Sequence, residues 1–176
     1  MIYLLDTSAL VKRYLNEAGS AYIRRLFQTP GIIFYQTFLT PLELTSALYR
    51  RYRDGKIPTE ELSFLLKSYA IHSHEEYLLI PHSDSLIDTA ATLIARHPLR
   101  ALDAIQLASA IKLRDSLPPD APSLNFLSAD GRLVAAARQE HLGLLAAHHR
   151  RVALLEVAIH YWGEPLVVPG RSRCRR

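Results

Sequence analysis

Four carboxylates stand at the points where this chain changes from one apolar or amphipathic run to the next. Asp6 closes the run Ile2 to Leu5, Glu43 lies in the first turn of a helix after a second run, Asp103 opens a strongly apolar helical stretch, and Asp130 follows a fourth run at another helix start. Carboxylates brought to one place repel each other, which raises their pKa values and destabilises the fold at neutral pH. A hard divalent cation offsets that repulsion. Carboxylate oxygens and water suit Mg²⁺ or Mn²⁺, and no Cys/His grouping in the chain has zinc spacing. A plainer reading competes at each acid taken singly, because acids at helix starts cap free N–H groups and complement the helix dipole by about 0.3–1 kcal/mol. A capping box with Thr40 accounts for Glu43 alone. Asp6 and Asp130 are harder to explain this way, since Thr7 or Ser8 can cap the first helix and Ser128 the last.

Whether the acids meet depends on the elements that carry them. Ile2 to Leu5, with no polar alternation, reads as a strand buried on both faces of a parallel sheet. Ala9, Leu10 and Tyr14 mark a short helix, and another spans residues 18–27. A strand covers Ile32 to Tyr35, and Thr40-Pro41-Leu42-Glu43 opens a helix that Gly55 ends. A helix over Glu60 to Ala70 precedes a strand over Tyr77 to Ile80. Ser83 caps a helix that His97-Pro98 terminates. The stretch from Leu102 to Leu113 leaves almost no polar face and should pack centrally, followed by a strand over Leu124 to Leu127 and a helix after Ser128. The alternation predicts an α/β fold: one domain with a central, mostly parallel sheet of four to five strands and helices on both faces. Gly143-Leu144-Leu145 is the candidate fifth strand. The domain is expected over residues 1–145, with an extension over 146–176 made of a helix across Arg151 to Trp162 and a disordered basic tail. In open α/β sheets ligands bind beyond the carboxyl ends of the strands, the edge to which at least three of the acids would be delivered.

Composition narrows the setting. A length of 176 residues suits one domain with a sizeable core. No apolar run approaches the roughly 20 residues of a membrane helix, and the chain opens directly on a strand with no basic leader before it, so a cytoplasmic protein with no membrane partner is expected. The single cysteine, Cys174, forms no internal disulfide. The net charge of +4 is supplied entirely by Arg171, Arg173, Arg175 and Arg176, so global charge says nothing about an anionic partner.

The order of motifs resembles the PIN-domain ribonucleases, most closely the VapC-type toxins of toxin–antitoxin pairs. The segments are Leu5-Asp6-Thr7-Ser8-Ala9, Pro41-Leu42-Glu43-Leu44, Leu102-Asp103-Ala104-Ile105-Gln106-Leu107-Ala108 and Phe126-Leu127-Ser128-Ala129-Asp130. The resemblance covers about residues 1–140. It implies a PIN-like domain that cleaves RNA phosphodiesters, with Asp6, Glu43, Asp103 and Asp130 as catalytic residues binding one or two Mg²⁺ or Mn²⁺ ions. Ser8 and Ser128 would hold a metal-bound water or a neighbouring carboxylate, or else simply cap helices. Lys12 and Arg13 are the cations best placed to touch RNA. The implied partners are an RNA substrate, a cognate antitoxin and a second copy of the chain.

Other functions fit less well. Phosphatases with an aspartyl nucleophile want a second aspartate where Ser8 stands, and phospho-receivers want an aspartate where Ile80-Pro81 closes the third strand. A catalytically silent RNA-binding or regulatory module on the same fold is the alternative. The arginines at 50, 51 and 53 are read as complements to a helix dipole, the His72/His74 and His148/His149 pairs as surface residues, and Tyr14, Tyr49 and Tyr52 as packing.

Overall fold

The computed structural model describes residues 1–146; the helix and basic tail expected beyond them lie outside the described residues. β1 (Ile2–Leu5), β2 (Ile33–Thr37), β3 (Tyr77–Ile80), β4 (Leu124–Ser128) and β5 (Gly143–Ala146) form one sheet in the order β3-β2-β1-β4-β5, parallel at every pairing. The helices are α1 (Thr7–Tyr14), α2 (Ser20–Phe27), α3 (Thr40–Arg53), α4 (Thr59–Glu75), α5 (Asp84–Arg96), α6 (Ala101–Ser116) and α7 (Gly131–Gln139).

β1 takes the centre because all four of its residues are apolar and buried. Its side chains alternate between two cores, as strand geometry requires. Tyr3 and Leu5 join Leu10, Ile23, Leu44 and Leu48 under α1 to α4. Ile2 and Leu4 join Leu86, Leu93, Leu107 and Leu133 under α5 to α7. The result is the expected three-layer arrangement with helices on both faces. Each fully buried leucine contributes roughly 1.5–3 kcal/mol. β3 lies at the sheet's edge, so its apolar run does not stay inside: Leu78 and Leu79 are exposed.

Two elements run longer than their apolar pattern suggests. β2 continues through the buried polar pair Gln36 and Thr37 because hydrogen bonds satisfy both side chains: Tyr69 donates to Gln36 Oε1 at 2.8 Å, Gln36 Nε2 donates to Ser73 at 2.7 Å, and the Thr37 and Thr40 hydroxyls pair at 3.1 Å. α4 continues past Ala70 to Glu75, carrying Ser73 to that contact and His72 to Tyr14. α3 ends as expected at Gly55, whose φ of +67° permits the closing turn. The Gly55 N–H reaches Tyr52 and the Lys56 N–H reaches Arg51, the paired bonds of a Schellman motif.

Sequence order explains the site's location. The chain winds from β1 out to β2 and β3, then crosses back to β4 on β1's other side. The strand order therefore reverses between β1 and β4, the switch point beyond whose carboxyl ends the ligand crevice of an open α/β sheet lies.

Candidate active site

Asp6 follows β1 at this crevice. It is buried and serves as the N-cap of α1, its Oδ2 accepting from the Ser8 N–H at 3.3 Å. The same oxygen accepts from both the Ser8 and Ser128 hydroxyls, the latter at 2.9 Å. Ser128, fully buried at the end of β4, also receives the Asp130 N–H at 3.0 Å, while Ser8 Oγ receives the Ala129 N–H at 2.9 Å. The two serines therefore fasten the β1 and β4 ends together around one carboxylate oxygen. Neither serine caps a helix; the caps are Asp6 and Asp130, as the plainer reading of each acid taken singly has it. Asp130 Oδ1 accepts from the Arg132 and Leu133 N–H groups at the start of α7.

Glu43 departs from the capping box. Thr40 is inside α3, and its hydroxyl accepts from the Thr37 N–H at 3.2 Å. The Glu43 carboxylate instead turns to other elements, with Oε2 accepting from Thr7 Oγ1 at 2.7 Å and from Gln106 Nε2 at 2.8 Å. Asp103 lies in the first turn of α6, one turn before Gln106 and so on the same side of that helix.

The acids stand as two interacting pairs. Burial pushes the Asp6 carboxyl up to about 6, with the Glu43 charge adding to the rise and the Ser8 and Ser128 hydrogen bonds opposing it. Burial also raises Asp103, aided by the Asp130 charge and opposed by the Arg100 N–H and the Arg100 and Arg132 charges. Asp6, Glu43 and Asp130 each spend one oxygen on protein donors and keep the other without one among the described residues. Among those residues no group of three or more His, Cys, Asp or Glu could by itself hold a metal ion. The donors nevertheless fit a hard cation: all are carboxylates, and Mg²⁺ is commonly held by one or two of them with water completing its octahedron.

Over residues 3–139 the chain matches the family model of the PIN domain. It belongs to the PIN-domain family. No curated protein matches the chain. Among solved structures, this PIN domain is similar to FitAcB from Neisseria gonorrhoeae, at 16% identity and a TM-score of 0.60 over 85% of this chain and 100% of that one. It is also similar to VapBC2 from Rickettsia felis bound to a DNA fragment from their promoter, at 13% identity and TM-score 0.57, covering 83% of this chain and 98% of that one. A toxin–antitoxin complex from Klebsiella pneumoniae gives 15% identity and TM-score 0.56, covering 84% and 99%. At these identities the likeness shows the shared fold.

The cations expected to meet RNA are engaged within the PIN domain. Lys12 is only 4% exposed and bridges Glu17 at 3.3 Å; Glu17 in turn binds Arg51, which therefore does more than complement a helix dipole. Arg13 pairs with Glu76 at 2.8 Å, reaches the Tyr77 hydroxyl and lies 4.0 Å over the Phe27 ring. The reason is the same for both: α1 is short and packs against α2, α3 and β4, so its long cationic side chains find partners within the domain. Tyr14 packs as expected, edge-on against Tyr69, whereas Tyr49 and Tyr52 are exposed. Four residues of the site escape a reading of the sequence. Arg100 and Arg132 are exposed at the starts of α6 and α7 beside Asp103 and Asp130. Thr7 and Gln106 hold Glu43; a lone amide in the apolar run from Ala104 to Ala110 is the one signal that points to them.

Proposed function

We propose that this PIN domain is a Mg²⁺- or Mn²⁺-dependent endoribonuclease, the toxin of a toxin–antitoxin pair, acting in the cytoplasm as a homodimer and restrained by a cognate antitoxin. The observation that carries the nuclease reading is Asp6. A carboxylate buried beside another carboxylate, at the crevice where the strand order reverses, weakens the fold unless a cation joins it. The similar structures that are toxin–antitoxin complexes support the biological role.

Asp6, Glu43, Asp103 and Asp130 would hold one or two ions, directly or through water. When bound, such an ion supplies an activated water and positive charge against the phosphate oxygens. The chain's own groups do the positioning. Ser8 and Ser128 fix the Asp6 carboxylate through Oδ2, so that Oδ1 is its free oxygen. Arg100 and Arg132, in place of Lys12 and Arg13, would take RNA phosphates on either side of the cut, as guanidinium groups do by paired N–H donation.

Purified protein with Mn²⁺ and a mixed-sequence RNA should yield fragments, and Asp6→Asn or Asp103→Asn should slow cleavage by about 100-fold or more, the scale at which losing a metal's electrostatic help acts on a rate. Equal cleavage by those variants would remove the acids from the mechanism. Induced expression without an antitoxin should arrest growth, and Asp103→Asn should relieve the arrest.

The lack of a group of three metal-ligating side chains among the described residues favours the second reading, a catalytically silent RNA-binding or regulatory module. A thermal midpoint that does not move in saturating Mn²⁺ would decide for it, because a ligand held only by the folded state must raise stability.

A further inference from the structure

We infer that Gln106, acting with Thr7, is a positioning residue that presents a single oxygen of Glu43 to the bound cation; this rests on the metal-dependent reading above. Gln106 is 1% exposed on α6. Its Nε2 donates to Glu43 Oε2 at 2.8 Å and reaches Thr7 Oγ1 at 3.4 Å, while Thr7 Oγ1 donates to the same Glu43 oxygen at 2.7 Å. An ionised carboxylate only accepts, so the amide has one permitted orientation, nitrogen toward Glu43. The consequence falls on the other end of the amide. Gln106 Oε1 is buried with no hydrogen-bond partner, and it is the only such side-chain atom among the described residues.

A residue kept for packing alone would not leave that oxygen stranded. Ala104, Leu107, Ala108 and Ala110 surround it in sequence and are all buried, so a leucine would fill the position without an orphaned acceptor. What the amide supplies is a donor for Glu43. With two donors on Oε2, the flexible glutamate is held in one rotamer and Oε1 is its free oxygen, the arrangement that suits coordination through a single atom. The clamp also joins three elements. Thr7 comes from α1, Glu43 from α3 and Gln106 from α6, so the glutamate is referenced to the Asp6 end of the crevice and to the helix that carries Asp103.

The test uses the full chain, without RNA. Mn²⁺ affinity is measured by calorimetry and the metal-free thermal midpoint by scanning, for wild type, Gln106→Leu, Thr7→Val and Thr7→Ser. Gln106→Leu and Thr7→Val should each bind Mn²⁺ about 10–100-fold more weakly, the range found when partners of metal ligands are removed. The metal-free midpoint of Gln106→Leu should equal or exceed that of wild type, and Thr7→Ser, which keeps the hydroxyl, should bind as wild type does. Unchanged Mn²⁺ affinity in Gln106→Leu overturns the inference, as does a loss of metal-free stability that matches the loss of affinity. Should Gln106→Leu fail to fold, the Thr7→Val and Thr7→Ser pair decides. Wild type that binds no Mn²⁺ removes the metal reading itself, a result distinct from a wild type that binds and a Gln106→Leu that binds equally.

Discussion

An aspartate whose carboxyl titrates near 6 in the fold and near 3.9 when unfolded changes stability in a definite direction. Between those values the folded state binds more protons than the unfolded one, so metal-free stability falls as pH rises from about 4 to about 6 and then levels off. Two pH units correspond to about 3 kcal/mol, an upper figure for one buried group. Denaturant titrations of metal-free wild type and Asp6→Asn should therefore diverge with pH: the variant gains on wild type through this window and is the more stable protein at pH 7, although the proposed mechanism has it lose RNA cleavage. A variant less stable than wild type at pH 7 would mean that the two serine hydroxyls already outweigh the burial of the charge. At this scale the sequence shows where the acids fall along the chain but not what they touch. Asp6 is legible because an apolar strand stops on it. The bonds that bring Ser128 to Ser8 and to Asp6 are not, since their partners lie about 120 residues apart in the chain, and Lys12 looks free only because Glu17 and the packing around α1 are tertiary facts.

Elements explain why some local signals read correctly and others do not. The strands, Ser83 at the start of α5, and the stops at Gly55 and His97 are legible because each is decided within a few residues, by apolar runs, a serine hydroxyl, a positive φ or a proline. The start of α3 misleads because Thr40-Pro41-Leu42-Glu43 satisfies a local rule that the fold overrides: Thr37 takes the threonine and Thr7 and Gln106 take the glutamate. α7 offers the converse case, in which a chemically interesting acid also does ordinary work. Asp130 caps the helix through Oδ1 alone. Asparagine caps about as well as aspartate, whereas alanine costs roughly 1 kcal/mol. Asp130→Asn should thus keep the wild-type midpoint in metal-free protein while losing cleavage, and Asp130→Ala should lose both. Equal destabilisation by the two substitutions would show that the charge, rather than the cap, supports α7.

Across the whole molecule, one topological fact gathers these details: crossing from β3 back to β4 puts strand ends about 120 residues apart in sequence side by side, with Asp6, paired with Glu43, following β1 and Asp130, paired with Asp103, following β4. An acidic crevice repels RNA, so an RNA-cleaving protein needs cations at its rim. The net charge of +4 does not reveal them, because it sits in the last six residues. Arg100 and Arg132 supply the charge locally. Binding of a short single-stranded RNA to Asp6→Asn in Mn²⁺ should weaken as salt rises, with a logarithmic slope of about 0.7 for each phosphate that the protein neutralises. Arg100→Gln and Arg132→Gln should each reduce the slope by about that amount, and the double variant by about twice it, with midpoints unchanged because both side chains are exposed. Lys12→Gln should do the opposite, lowering the thermal midpoint by removing its half-buried bridge to Glu17 while leaving the slope intact. Slopes unaffected by the rim arginines but reduced at Lys12 would restore the first helix as the RNA-binding element. They would also require that helix to release Lys12 from Glu17 on binding.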